Sequence, residues 1–132
     1  MDARELRIGN YVYDDINNIV EIDHQDIGEE VYIFYKPIEL TEEILLKCGF
    51  KKENLKPSNE HSEYFSIWIE DYKYSFSFAY FRNNWGFYHS YTDASEEEDN
   101  NRFDAISFGI KYLHQLQNLY FALTNEELNV QL

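Results

Sequence analysis

The chain holds one cysteine, two prolines and five glycines among 132 residues. A lone cysteine excludes an intrachain disulfide and any zinc site built on thiolate pairs. Scarce Gly and Pro exclude a low-complexity or loop-dominated chain. No stretch reaches the roughly 20 apolar residues that a membrane-spanning helix needs. The start, Met1-Asp2-Ala3-Arg4-Glu5-Leu6-Arg7, lacks the apolar centre of a secretory signal. A soluble, cytoplasmic protein without a membrane partner is expected. Basic residues are scarce too, with 11 Lys and Arg against 25 Asp and Glu, for a net charge of −14. That field repels nucleic-acid phosphates, so direct nucleic-acid binding is disfavoured and a basic protein is the expected partner. Solubility alone is the competing explanation of the charge.

Aromatic residues, by contrast, are plentiful: 12 Tyr, 10 Phe and two Trp make up 18% of the chain. They bury more area than any other side chains, so a single domain over residues 1–132 can reach a stable core without crosslinks. Cys48 sits among Leu45, Leu46 and Phe50 and is expected to be a buried structural thiol.

Patterning points to an α+β fold. Leu6 to Tyr13 is β-rich with a Gly9-Asn10 step that suggests a bend. Asp14-Asp15 and Asn17-Asn18 supply turn chemistry before a second run, Ile19 to Ile22. Glu30 to Tyr35 reads as a third strand. The three would form an N-terminal antiparallel meander like the opening of a small SH3-like barrel. A short helix over 41–48 follows, with Thr41 as cap, Leu40 and Leu45 as a hydrophobic staple, and Gly49-Phe50 as a Schellman stop. Lys51 to Ser62, with Pro57, reads as a loop.

Next comes the strongest β signal. Tyr72, Tyr74, Phe76, Phe78 and Tyr80 alternate with smaller or polar residues. Strands at Tyr64 to Glu70 and Trp85 to Tyr91 flank this run, with turns at Glu70-Asp71 and Asn83-Asn84, and Phe103 to Ile110 reads as a further strand. Between them, 92–102 is an exposed acidic loop carrying Asp93, Glu96, Glu97, Glu98 and Asp99. Leu113, Leu116, Leu119, Tyr120 and Leu123 define one stripe of a C-terminal helix, which is expected to pack against the aromatic sheet. Thr124-x-x-Glu127 has the form of a second capping box, leaving Leu128 to Leu132 open between helix and strand.

Three segments together carry a resemblance: Glu5 to Val12, Pro37 to Phe50, and Leu113 to Thr124. The combination resembles a group of small uncharacterised proteins from Bacteroidota bacteria and the phages or mobile elements they carry. The matching segments cover about a third of the chain, and the resemblance implies an origin without implying an activity, a cofactor or catalytic residues.

Chemistry-bearing motifs are sparse. His24, His61, His89 and His114 have no metal-ligand spacing, and there is no G-x-S-x-G and no glycine-rich phosphate loop. No catalytic, metal or cofactor residue is assigned. The candidate partner or ligand surface begins with His114, Gln115 and Asn118, which with Gln117 stand on the last helix where a solvated face would more often use Glu, Lys or Arg. The plainer alternative is that these side chains bond neighbouring backbone. Arg82, Trp68 and Tyr88 could add a cation and aromatic anchors, and Glu96, Glu97 and Glu98 an acidic docking loop.

The expected function is therefore a non-catalytic acidic binding protein. One version is a phage or mobile-element inhibitor that imitates nucleic acid and docks on a basic nucleic-acid-binding surface of a host protein. The alternative is a binder of small ligands or nucleotide derivatives through an aromatic pocket. An enzyme with a site unreadable from one sequence ranks third.

Overall fold

The computed structural model describes residues 5–28, 30–54, 63–69, 76–92 and 101–132. The fold is α+β: a two-stranded antiparallel sheet, a five-stranded antiparallel sheet and a C-terminal helix. Two compact units divide the chain. One joins Met1–Ile44 to Lys111–Gln131, and the other takes Leu45–Ile110 with Leu132.

In the first unit, β1 (Tyr11–Tyr13) pairs antiparallel with β2 (Ile19–Glu21), setting Tyr11 opposite Glu21. The expected bend precedes β1. Gly9 adopts φ +96°, which a side chain would strain, and the Asn10 N–H closes a turn on the Arg7 carbonyl at 3.0 Å. Asp14 holds the β1–β2 connection, its Oδ1 accepting from the Ile16 and Asn18 N–H groups at 3.0 and 2.8 Å. Helix α1 (His24–Gly28) then follows without apolar periodicity to announce it. Its start is a reciprocal cap, in which Asp23 and Asp26 each accept the other's backbone N–H at 2.9 Å.

The third expected strand is replaced by a 3₁₀ helix over Val31–Phe34. Glu30 turns left-handed at φ +59°, and only one bridge, Tyr13 to Lys36, joins this stretch to β1. The β propensity of the run thus finds almost no ladder to join, and context overrides it. The Tyr35 hydroxyl instead donates to Asp26 at 2.7 Å, a bond that pushes its pKa up to about 12. Leu6, Val12 and Ile22 form the buried cluster here, with Val20, Ile27 and Tyr35 packed against it.

Helix α2 (Glu42–Lys47) has the expected ends. Thr41 Oγ1 accepts the Ile44 N–H at 3.2 Å. At the other end, Phe50 N–H reaches the Leu45 carbonyl and Gly49 N–H the Leu46 carbonyl, both at 3.1 Å, with Gly49 at φ +88°. Cys48 is buried, and burial pushes its thiol pKa up to about 12, which makes it an inert core residue.

The second unit is built on the sheet β3-β4-β5-β6-β7, comprising Lys51–Asn54, Glu63–Trp68, Phe76–Phe81, Gly86–Thr92 and Asn101–Ser107. Its first strand corrects the expectation of a loop from Lys51. As an edge strand of Lys, Lys, Glu and Asn it carries no apolar alternation, and charge is what such edges use to avoid unwanted pairing. Of the alternating aromatic run, Phe78 and Tyr80 are buried and share a face with Phe65 and Phe87. Tyr72, Tyr74 and the Glu70-Asp71 turn lie outside the described residues. The Tyr80 hydroxyl donates to the Ile110 carbonyl, and burial raises its pKa far above the ordinary phenol value.

Helix α3 (Leu113–Thr124) returns the chain to the first unit. Its start is tied to the segment before α2, as Leu113 N–H donates to Ile38 O at 2.8 Å and Leu40 N–H to Lys111 O at 2.9 Å. The second capping box does not begin a helix. Thr124 Oγ1 donates back to the Tyr120 carbonyl at 2.8 Å, Asn125 turns left-handed, and Glu127 is drawn to Arg7 instead. The C-terminal residues Leu128 to Leu132 are neither helix nor strand. Among the described residues, no helix is long and apolar enough to cross a membrane.

Candidate functional site

The buried side of α3 consists of Leu113, His114, Leu116, Gln117 and Tyr120, so two of its five members are polar. The reason lies in the Gly9-Asn10 bend. A bend at the entry to a strand leaves main-chain groups without a ladder partner, and buried groups of that kind must be paired. Gln117 pairs two of them. Its Oε1 accepts the Tyr11 N–H at 2.9 Å and its Nε2 donates to the Gly9 carbonyl at 3.0 Å. The carboxamide thus acts as a one-residue strand partner.

Asn118 extends the same device. Its Oδ1 accepts from Asn10 Nδ2 at 2.8 Å and from Arg7 Nε at 3.2 Å, while its Nδ2 donates to the Glu5 carbonyl at 3.0 Å. Asn10 in turn accepts the Arg7 N–H at 2.7 Å. Arg7 clamps Glu127 with both terminal nitrogens, and its guanidinium lies over the Phe121 ring, 4.3 Å from the centroid. The hydrogen bond from Arg7 holds the Glu127 carboxyl below its usual pKa.

Gln115 serves the helix start. Its Oε1 accepts the N–H groups of Lys111 and Tyr112 at 2.9 and 3.1 Å. His114 differs from these three. It is 1% exposed, and neither ring nitrogen has a hydrogen-bond partner. Its ring lies parallel to Tyr112, with centroids 6.0 Å apart. Burial lowers its pKa, with Glu5 opposing, and the positive end of α3 also disfavours an imidazolium in the first turn. His114 is therefore a neutral, aromatic core residue, and no hydrogen bond joins it to Asn118 one turn on. Of the helix residues singled out by sequence, Gln115 and Asn118 bond backbone and neighbouring side chains, the plainer of their two expected uses.

Beside this network opens a cleft of about 540 Å³. The cross-strand pair Tyr11 and Glu21 lines it, together with Gln117, Glu127 and Asn129. Ile8, Leu128 and Val130 supply its apolar lining. The Tyr11 phenol pKa is raised by burial, then by the charge of Glu21 and a hydrogen bond to it. Neither Tyr11 nor Glu21 stood out in the sequence, because each reads as an ordinary strand residue until β1–β2 pairing sets them opposite one another.

The remaining candidates belong to the second unit. Arg82 is exposed on a 3₁₀ turn, Arg82–Asn84, and with Glu63, Phe65 and Asn83 lines a smaller cleft of about 190 Å³. Trp68 ends β4 at 55% exposure. Tyr88 belongs to an aromatic cluster, with its ring 5.3 Å from Phe81 and 5.7 Å from Phe108. Phe81 stacks on Tyr64 and meets Phe103 edge-on at 5.3 Å. This cluster lies on the face opposite to the alternating run, so the period-two pattern does not reveal it. Glu96, Glu97 and Glu98 lie outside the described residues.

The charge is unevenly divided. The first unit's sequence contains fourteen acidic and four basic residues, a balance of −10; the second contains eleven and seven, a balance of −4. Among the described residues, no three His, Cys, Asp or Glu side chains group as a metal site. Comparisons with protein-family models, with curated proteins and with solved structures find no match to this chain.

Proposed function

We propose that this protein is a binding module whose acidic first unit docks on a basic protein partner. The observation that carries this reading is the concentration of charge, with a balance of −10 of the total −14 in the sequence of the first unit. A field of that sign raises the local concentration of cationic surfaces and speeds their encounter. Gln115, Gln117 and Asn118, which could have marked a chemical site, are engaged in holding the first unit together. The partner that best fits is a basic nucleic-acid-binding surface of a host protein, which a phage or mobile-element inhibitor would occupy in place of nucleic acid. Binding should weaken at least tenfold between low and moderate salt, and duplex DNA should compete for the captured partner. A partner held with salt-independent affinity would rule this mechanism out.

A second reading rests on the aromatic cluster. Phe108 is 60% exposed beside the packed rings of Tyr88, Phe81 and Phe103, an arrangement suited to stacking a planar ligand. A thermal-shift screen of nucleotides and metabolites that gives a discrete stabilising hit, lost in Phe108→Ser, would favour it.

A further inference from the structure

We propose that the first-unit cleft is a receptor for a lysine or arginine side chain presented by the basic partner. This rests on the acidic-docking reading above and assigns it a site. The cleft combines two linings that a cationic side chain matches at once. Ile8, Leu128 and Val130 offer apolar surface to an aliphatic stem, while Glu21 and Tyr11 offer a carboxylate and an aromatic side chain to the charged head. Its volume, about 540 Å³, lies within the range of small-ligand sites, roughly 300–1,000 Å³.

The charges nearby decide the sign of the ligand. Glu127 also lines the cleft, but Arg7 neutralises it through both terminal nitrogens. Arg7 is itself fully engaged by Glu127, Asn118 and the Phe121 ring, so it has no donor to spare for an anion. Glu21 is exposed and forms no ion pair among the described residues; it stands opposite Tyr11 across the β1–β2 pair. What remains in the cleft is one uncompensated carboxylate beside an aromatic ring, which favours a cation.

The test uses the full chain and two small probes, N-acetyl-lysine methylamide and its neutral counterpart N-acetyl-norleucine methylamide, followed by amide NMR shifts. The lysine probe should give saturable shifts at Gly9, Tyr11, Gln117 and Asn129, and norleucine should bind at least fivefold more weakly. Glu21→Gln should weaken the lysine probe at least fivefold. Val130→Lys, which puts a cation into the cleft from the chain itself, should block it and serves if Glu21→Gln folds poorly. Equal binding of both probes, or shifts confined to other residues, overturns the proposal. A polylysine peptide separates the two readings. Salt-sensitive binding that Glu21→Gln and Val130→Lys leave unchanged overturns the cleft and keeps the acidic docking surface. No binding of polylysine at low salt overturns both.

Discussion

The two units are held by different means. In the first, short strands and a bend leave backbone groups that side chains from α3 must satisfy, so Gln117 and Asn118 connect residues more than 100 positions away in sequence. In the second, a regular five-stranded ladder pairs its own backbone, and aromatic packing such as Phe78 on Phe87, at 5.1 Å, fills the space beside it. Irregular backbone requires specific polar partners, whereas a regular sheet requires only apolar bulk. The first kind of structure therefore depends on a few irreplaceable atoms and the second on summed area.

Substitutions can break this contrast, and the largest effect is expected in the sheet. Phe87→Ala removes a fully buried ring and should cost about 3–5 kcal/mol in chemical denaturation. Phe87→Leu should recover more than half of that, because area rather than atom identity is at stake. Gln117→Leu keeps bulk but strands the Tyr11 N–H and Gly9 carbonyl, and should cost about 2–4 kcal/mol. If Gln117→Leu proves as mild as a conservative sheet substitution, the polar account of the first unit fails. Arg7→Met should be milder, about 1–2 kcal/mol, since the side chain is 27% exposed and water screens its pair with Glu127.

The pH response should distinguish two groups of the first unit. His114 has a folded pKa below its ordinary 6.5, so the unfolded chain takes up the proton first. Its contribution to stability is complete above pH 6.5 and declines as pH falls from there toward the folded value. Urea midpoints measured downward from pH 7 should show this loss, and His114→Phe should flatten it. Glu127, whose pKa is lowered by Arg7, behaves as a paired carboxylate. Its contribution is present above about 4.5 and is lost as pH falls through the folded value, a step that Arg7→Met should remove. The smallest effect is expected at Phe108, which is 60% exposed; Phe108→Ser should leave the denaturation midpoint nearly unchanged.

Legibility in the sequence follows the same division. Helix α2 could be read almost to the residue, because Thr41, Gly49 and Phe50 act on their own neighbours. The strands carrying Phe65, Phe78 and Tyr80 could be read because burial on one sheet face imposes a period of two. The 3₁₀ helix over Val31–Phe34 could not, since its residues favour strand and only the missing ladder partner decides otherwise. The edge strand Lys51–Asn54 escaped for the opposite reason, its pairing resting on backbone alone. The candidate site was half legible. Polar residues on a leucine-rich helix marked α3 as unusual, but their targets, Glu5, Gly9 and Tyr11, lie at the other end of the chain.

What the sequence determined by itself, then, is whatever is local or compositional: the α+β class, the helix ends, the aromatic strands and the net charge of −14. Tertiary structure alone decided which polar side chains would be consumed and which left open to solvent. His114 became core, Gln117 and Asn118 became backbone partners, and Tyr11 and Glu21 came to line a cleft. The physical reason is range. Caps and alternation act over a few residues, whereas a backbone group freed at Gly9 is satisfied by whichever donor or acceptor the fold brings beside it.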